Sequence, residues 1–381
     1  MNNILQFIAK ETFGKSYRTS KIELDTEISS AQIEYDAPEE ILLKHSGETK
    51  PTRNFVPLKE LADRVSLSDA QILSYFLDGS RHVYKIDDIA YQQGSRKMIY
   101  PIIAGQIVIG CCRRADKKLH AEKFSQEIIL SLPDVAKYDG REGFFPALAA
   151  KINNLLVDKN LPTIKIADYK TNHNPQEKFE ERAVAKIMEQ MHDAEKNLVA
   201  ELVRRGKLDQ KNYLIKDGSL EYRILPDDKK FNAKNYSFVI GVSKKFNPIL
   251  IKDSSDKINP GLVADLPTFC RTPVTIFNRG DFHGGNKFAV WYLRLHDKKY
   301  SDSPFDGVVK VEKILVKDAE LKTEKIDSDE VNLLSAYLLN ERNPVCYGAD
   351  SRWANHIYPI FLTESFVKAQ FISAETFLNL F

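Results

Sequence analysis

The stretch Tyr75–Arg114, YFLDGSRHVYKIDDIAYQQGSRKMIYPIIAGQIVIGCCRR, decides how the rest of the chain is read. ILSYFLDGS is an almost continuous apolar run, as expected of a strand buried on both faces, and it stops at Asp78-Gly79-Ser80. HVYKIDDIAY and MIYPIIAGQIVIGCC are rich in β-branched and aromatic residues, and QQGSRK between them has hairpin composition. Short connections make three such strands antiparallel. A turn alone accounts for one Asp-Gly-Ser at a strand end, because Asp-Gly is a common turn dipeptide.

Downstream, EKFEERAVAKIMEQMHDAEKNLVAELVRRGKL places Ala183, Ile187, Met191, Ala194, Leu198 and Leu202 at three- and four-residue spacing, which predicts a long amphipathic helix with Gly206 as its stop. NYLIKDGSLEYRIL and YSFVIGVSKKF read as strands, followed by the strand-like TPVTIF, KFAVWYLRLH and DGVVKVEKILV. SDEVNLLSAYLLNERNP begins with Ser328, Asp329 and Glu330, which favour a helix start. The tail YPIFLTESFVKAQFISAETFLNLF reads as one or two helices. Residues 1–69 read as an N-terminal extension that packs on the domain at 70–381, with a helix at PLKELADRV whose first turn holds Pro57. The expected class is α/β, a mixed sheet flanked by helices.

Composition narrows the function. The 381 residues are 43% hydrophobic and 28% charged, enough for a large core. A net charge of +2 gives no global nucleic-acid signal, although a local groove can still be basic. Cys111, Cys112, Cys270 and Cys346 have no CxxC spacing, which suits neither a disulfide scaffold nor a zinc site and points to a reduced compartment. With no signal-peptide pattern and no apolar run of about 18 residues, a cytoplasmic protein without membrane spans is expected.

The Asp-Gly-Ser motif occurs twice, at Asp78-Gly79-Ser80 and Asp217-Gly218-Ser219, each after an apolar run. Ligand sites in open α/β sheets collect at strand ends. Two aspartates there can hold a divalent cation, and carboxylate ligands suit manganese or magnesium. Such an ion activates water and stabilises charge on a phosphodiester. Ser80 and Ser219 can donate to a phosphate, and Lys244 and Lys245 leave a strand end that can lie beside the aspartates. Arg271, Arg279, Arg294 and Lys287 are candidates for a nucleic-acid path. Asp87 and Asp88 are adjacent, so at most one can join the site. His82 reads as a strand-surface residue, NRGDFHGGN around His283 as a hairpin without P-loop spacing, and Trp353 as core or a base-stacking residue.

FLDGS, a long helix, KDGSL and VIGVSKK, in this order, resemble the NurA family of nucleases, as do RTPVTIFNRG, FAVWYLRLH and YPIFL from Ile72 to the C-terminus. The resemblance implies an RNase H-like fold and a manganese-dependent DNA nuclease for single strands and duplex ends. It also implies a homodimer working with a HerA-type hexameric ATPase. It matches Asp78 and Asp217 to metal-binding aspartates and Lys244 to the lysine after Val-Ser. The family's histidine beyond the Tyr-Pro pair is missing here, leaving Glu364 or His356 to complete the metal site. A second reading follows from that gap: a catalytically inactive RNase H-like adaptor that guides DNA for a translocase.

Overall fold

From Leu73 to Gln93 the chain runs as one strand of 21 residues, β1, and the first Asp-Gly-Ser lies within it rather than at its end. After Ser80 the strand continues, with Val83 and Ile86 wholly buried. The computed structural model describes residues 4–24, 42–50, 52, 54–68, 71–137, 142–156, 161–172, 178–220, 231–255, 257–278, 285–300, 303–342 and 355–381. β2 (Arg96–Ala115) and β3 (Lys118–Pro133) continue the antiparallel meander. Two of the three expected strands are thus one, and the third partner is KLHAEKFSQEIILSLP, whose mixed polarity gave no strand signal. α1 (Phe144–Leu156) then leads to β4 (Thr163–Tyr169), parallel to β3.

The expected long helix is α2 (Phe179–Arg204). It crosses over to β5 (Tyr213–Asp217), which pairs parallel with β1, and β6 (Val239–Ser243) pairs parallel with β5. β7 (Thr275–Asn278), β8 (Lys287–Arg294) and β9 (Val308–Ile314) extend the sheet through antiparallel pairs. Among the described residues the path across the sheet is Leu42–Lys44, β7, β8, β9, β6, β5, β1, β2, β3, β4. α3 (Ser328–Asn340), α4 (Tyr358–Lys368) and α5 (Ala374–Leu378) close the chain.

Each face of the sheet carries its own apolar core. Leu77, Leu214 and Val239 pack with Ile187 and Leu198 of α2. On the other face Phe76, Ile215, Ile240 and Val242 pack with Leu334 of α3 and Ile360 of α4. This alternation sorts the site residues by face.

Residues 4–68 contribute to the same sheet and cores. Lys15–Ser16 and Ile22–Glu23 pair with β1, and the helix Lys59–Ser66 packs its Ala62 into the second core. Pro57 is not in that helix, because Val56–Pro57 pairs with Cys270–Arg271 and the helix starts only at Lys59. No helix among the described residues is long and apolar enough to cross a membrane.

Candidate functional site

Four elements bring their side chains to one face of the sheet. Leu77 is in register with Lys216, so Asp78 and Asp217, the next residues of β1 and β5, stand side by side. Asp217 pairs in turn with Val242, and Lys244 follows just past the end of β6. α4 covers this face and supplies Glu364. It can lie close because Gly110, opposite Asp78 in β2, has no Cβ; one there would sit 2.6 Å from Val367 Cγ2. Glu364 precedes Val367 by three residues and so lies on the same side of the helix.

Lys244 is the centre of the cluster. Its Nζ donates to Asp217 Oδ2 at 2.9 Å and to Glu364 Oε2 at 3.2 Å. Lys368, one turn along α4, donates to Glu364 Oε1 at 2.7 Å. The backbone around Lys244 is pinned by buried Asn355, whose Nδ2 donates to the carbonyls of Lys244 (2.9 Å) and Val308 (2.8 Å). Gly218 follows Asp217 at φ +89°, a conformation that favours glycine, and its N–H donates to the Val242 carbonyl at 2.9 Å.

The electrostatics of the three carboxyl groups differ. Burial raises Asp78 well above the usual carboxylate range, and Asp217, Glu364 and Glu195 push it further up against the pull of Lys244. Glu364 is also disfavoured by burial, but Lys244 and Lys368 outweigh that and bring it down to about 2. Burial would lower Lys244, yet Asp217 and Glu364 hold it above its ordinary value. Among the described residues no three His, Cys, Asp or Glu side chains already stand at metal-holding spacing. The donor set is nevertheless hard oxygen, three carboxylates on one face, which is the chemistry manganese and magnesium take. The burial that disfavours a bare carboxylate at Asp78 is relieved by a nearby cation.

Sequence reasoning missed the supports. Glu195 of α2 looks like any charge on an amphipathic helix, yet it is buried on the opposite face. Its Oε2 lies 3.3 Å from Lys216 Nζ, and Lys216 also donates to the carbonyls of Asp217 (3.1 Å) and Ser219 (3.0 Å). Fully buried Glu312 accepts from Ser219 Oγ at 2.8 Å and from the Leu220 N–H at 2.7 Å, with Lys310 on its other oxygen. The turn carrying Asp217 is therefore held from beneath by charge. The signal available in the sequence was Gly79, whose missing Cβ leaves room for Glu195.

Other expected site residues are placed elsewhere. His356 is buried with its ring against Phe361, 5.4 Å between centroids, while Glu364 enters the Lys244 cluster. Ser80 is half-buried on the Asp78 face and Lys245 is exposed. Ser219 is engaged by Glu312. Arg271 and Arg294 line no DNA path. Arg271 is fully buried and paired with Glu48 at 2.6 and 3.2 Å, and Arg294 donates to five backbone carbonyls including Leu266 and Pro304. Lys287 pairs with Glu324. Asp87 accepts from Ser16 and Thr19, Asp88 pairs with Lys85 at 2.9 Å, and neither joins the site. His82 sits 3.8 Å from Glu23 with its ring on Phe371. Cys111, Cys112 and Cys270 are free and buried. Arg279, His283, Cys346 and Trp353 lie outside the described residues.

No family model matches the sequence, and no curated protein matches it. Among solved structures the chain is similar to the NurA nuclease from Sulfolobus solfataricus, with a TM-score of 0.39 and 10% identity over 84% of this chain and 88% of that one.

Proposed function

We propose that this chain is a metal-dependent DNA nuclease with an RNase H-like core, acting on single strands and DNA ends. The observation that carries the reading is the convergence of Asp78, Asp217 and Glu364, from β1, β5 and α4, around one buried lysine. The strand order supports the RNase H-like assignment: three antiparallel strands, then two added parallel to the first after a crossover helix. The order of FLDGS, KDGSL and VIGVSKK supports the nuclease assignment.

In this reading Asp78, Asp217 and Glu364 hold manganese or magnesium, and Lys244 steadies the scissile phosphate as a point charge. The ion, when bound, supplies Lewis-acid activation of water and stabilises charge on the phosphodiester. To serve both ion and phosphate, Lys244 releases one of its two carboxylates. With an ion held there, Asp78 would be ionised. In this reading Ser80 and the exposed Lys245 contact the DNA backbone. We further assign the protein to the cytoplasm, as a homodimer working with a HerA-like hexameric ATPase in DNA end processing or anti-phage defence.

A second reading is an inactive adaptor or DNA-binding subunit of a translocase complex. It is favoured by the lysine already closing Asp217 and Glu364 and by the absence, among the described residues, of three ligands at metal-holding spacing. One assay separates the two. The purified chain should degrade single-stranded DNA in manganese and stop when the ion is chelated; binding without any degradation would establish the adaptor.

A further inference from the structure

Two rows of residues cross β1, β2 and β3 beside the carboxylates. Asp78 is opposite Gly110, and Gly110 is opposite Phe124. Residues directly opposed in neighbouring strands project from the same face, so Phe124 shares the Asp78 face two strands away, about 10 Å by the usual strand spacing. The missing Cβ at Gly110 also lets Phe366 of α4 lie across the middle strand, with ring atoms 3.2 and 3.3 Å from where that carbon would be. Phe366 meets Phe124 edge to face, 6.0 Å between centroids at 85°. Phe124 is thus braced, yet 46% of it remains exposed. The next row on the same face is Ser80, Val108 and Gln126.

An exposed aromatic ring braced on the carboxylate face is an arrangement that receives another flat ring. We propose that Phe124, braced by Phe366, stacks an unpaired DNA base beside the phosphate held at the Asp78–Lys244 cluster. The inference rests on the nuclease reading for its substrate and names what selects single strands and frayed ends: a base paired within a duplex has no free face to offer Phe124. Stacking tolerates any base, so the platform selects strandedness and not sequence.

The test is fluorescence anisotropy on the full chain in chelator, so that nothing is cleaved, with an oligothymidine and an abasic strand of equal length. Phe124→Ala should weaken oligothymidine binding roughly tenfold, Phe124→Trp should retain it, and the abasic strand should bind both parent and Phe124→Ala alike. Unchanged oligothymidine binding by Phe124→Ala, an equal loss on both strands, or no binding by the parent overturns the inference. So does a change of oligomeric state in Phe124→Ala by size-exclusion chromatography, which would assign the ring to a subunit interface. A chain that stacks bases and cleaves nothing in manganese keeps this inference and fails the nuclease reading; one that cleaves but ignores Phe124 does the reverse.

Discussion

At Gly79 a methyl group would meet Glu195 Oε1 at 2.7 Å and Met191 Cγ at 3.5 Å. Glu195 has little room to yield, because it is buried and held near Lys216. Gly79→Ala should therefore destabilise the protein by about 1–3 kcal/mol through overpacking, measured by urea unfolding; a change within 0.5 kcal/mol would show that Glu195 moves freely. Gly218, in the second copy of the motif, serves another purpose: its positive φ bends the chain where β5 ends. Two identical tripeptides thus do different jobs, one admitting a helix carboxylate and one bending the chain as β5 ends. The sequence showed the shared aspartate. It could not show the difference, which depends on what packs against each glycine. The same limit explains Arg271 and Arg294: a long basic side chain is usually solvated, and nothing local reveals that Glu48, 223 residues away, receives the first.

At the scale of elements, the site depends on how closely α4 approaches the sheet. Gly110 sets that approach, since an added Cβ would overlap Val367 and press on Phe366. Gly110→Ala should displace α4 and carry Glu364 away from Lys244. Under the nuclease reading, cleavage in manganese should fall by about 100-fold, the usual cost of misplacing a catalytic group by about 1 Å, in a protein that still unfolds cooperatively. Full activity in that variant would mean that Glu364 is dispensable. Elements with strong period were legible: α2 by its three- and four-residue spacing, β5 and β6 by continuous apolar runs. β1 reads as two strands because Asp78-Gly79-Ser80 has the composition of a turn, although the strand runs straight through it. β3 gave no signal because its outer half, KLHAEKFSQE, is largely solvent-facing.

For the whole molecule, Glu48 joins the N-terminal segment to the far half of the sheet. It accepts from Arg271 and from the Val274 N–H at 3.1 Å, while Arg271 Nε donates to Asn332 of α3 at 2.8 Å. Removing one partner strands a buried charge, so Arg271→Ala should cost about 3–5 kcal/mol by chemical unfolding. A variant as stable as the parent would return Arg271 to the list of DNA contacts. The candidate site lies near the middle of this sheet, where parallel β5 and β6 meet the meander, and all its proposed ligands face one side. The most direct measurement is cleavage of single-stranded DNA in manganese by Asp78→Asn, with its melting temperature taken alongside. The expected result is a loss on the order of a thousandfold in a protein that melts no earlier than the parent. Full-rate cleavage by Asp78→Asn would contradict the assignment of this cluster as the active site.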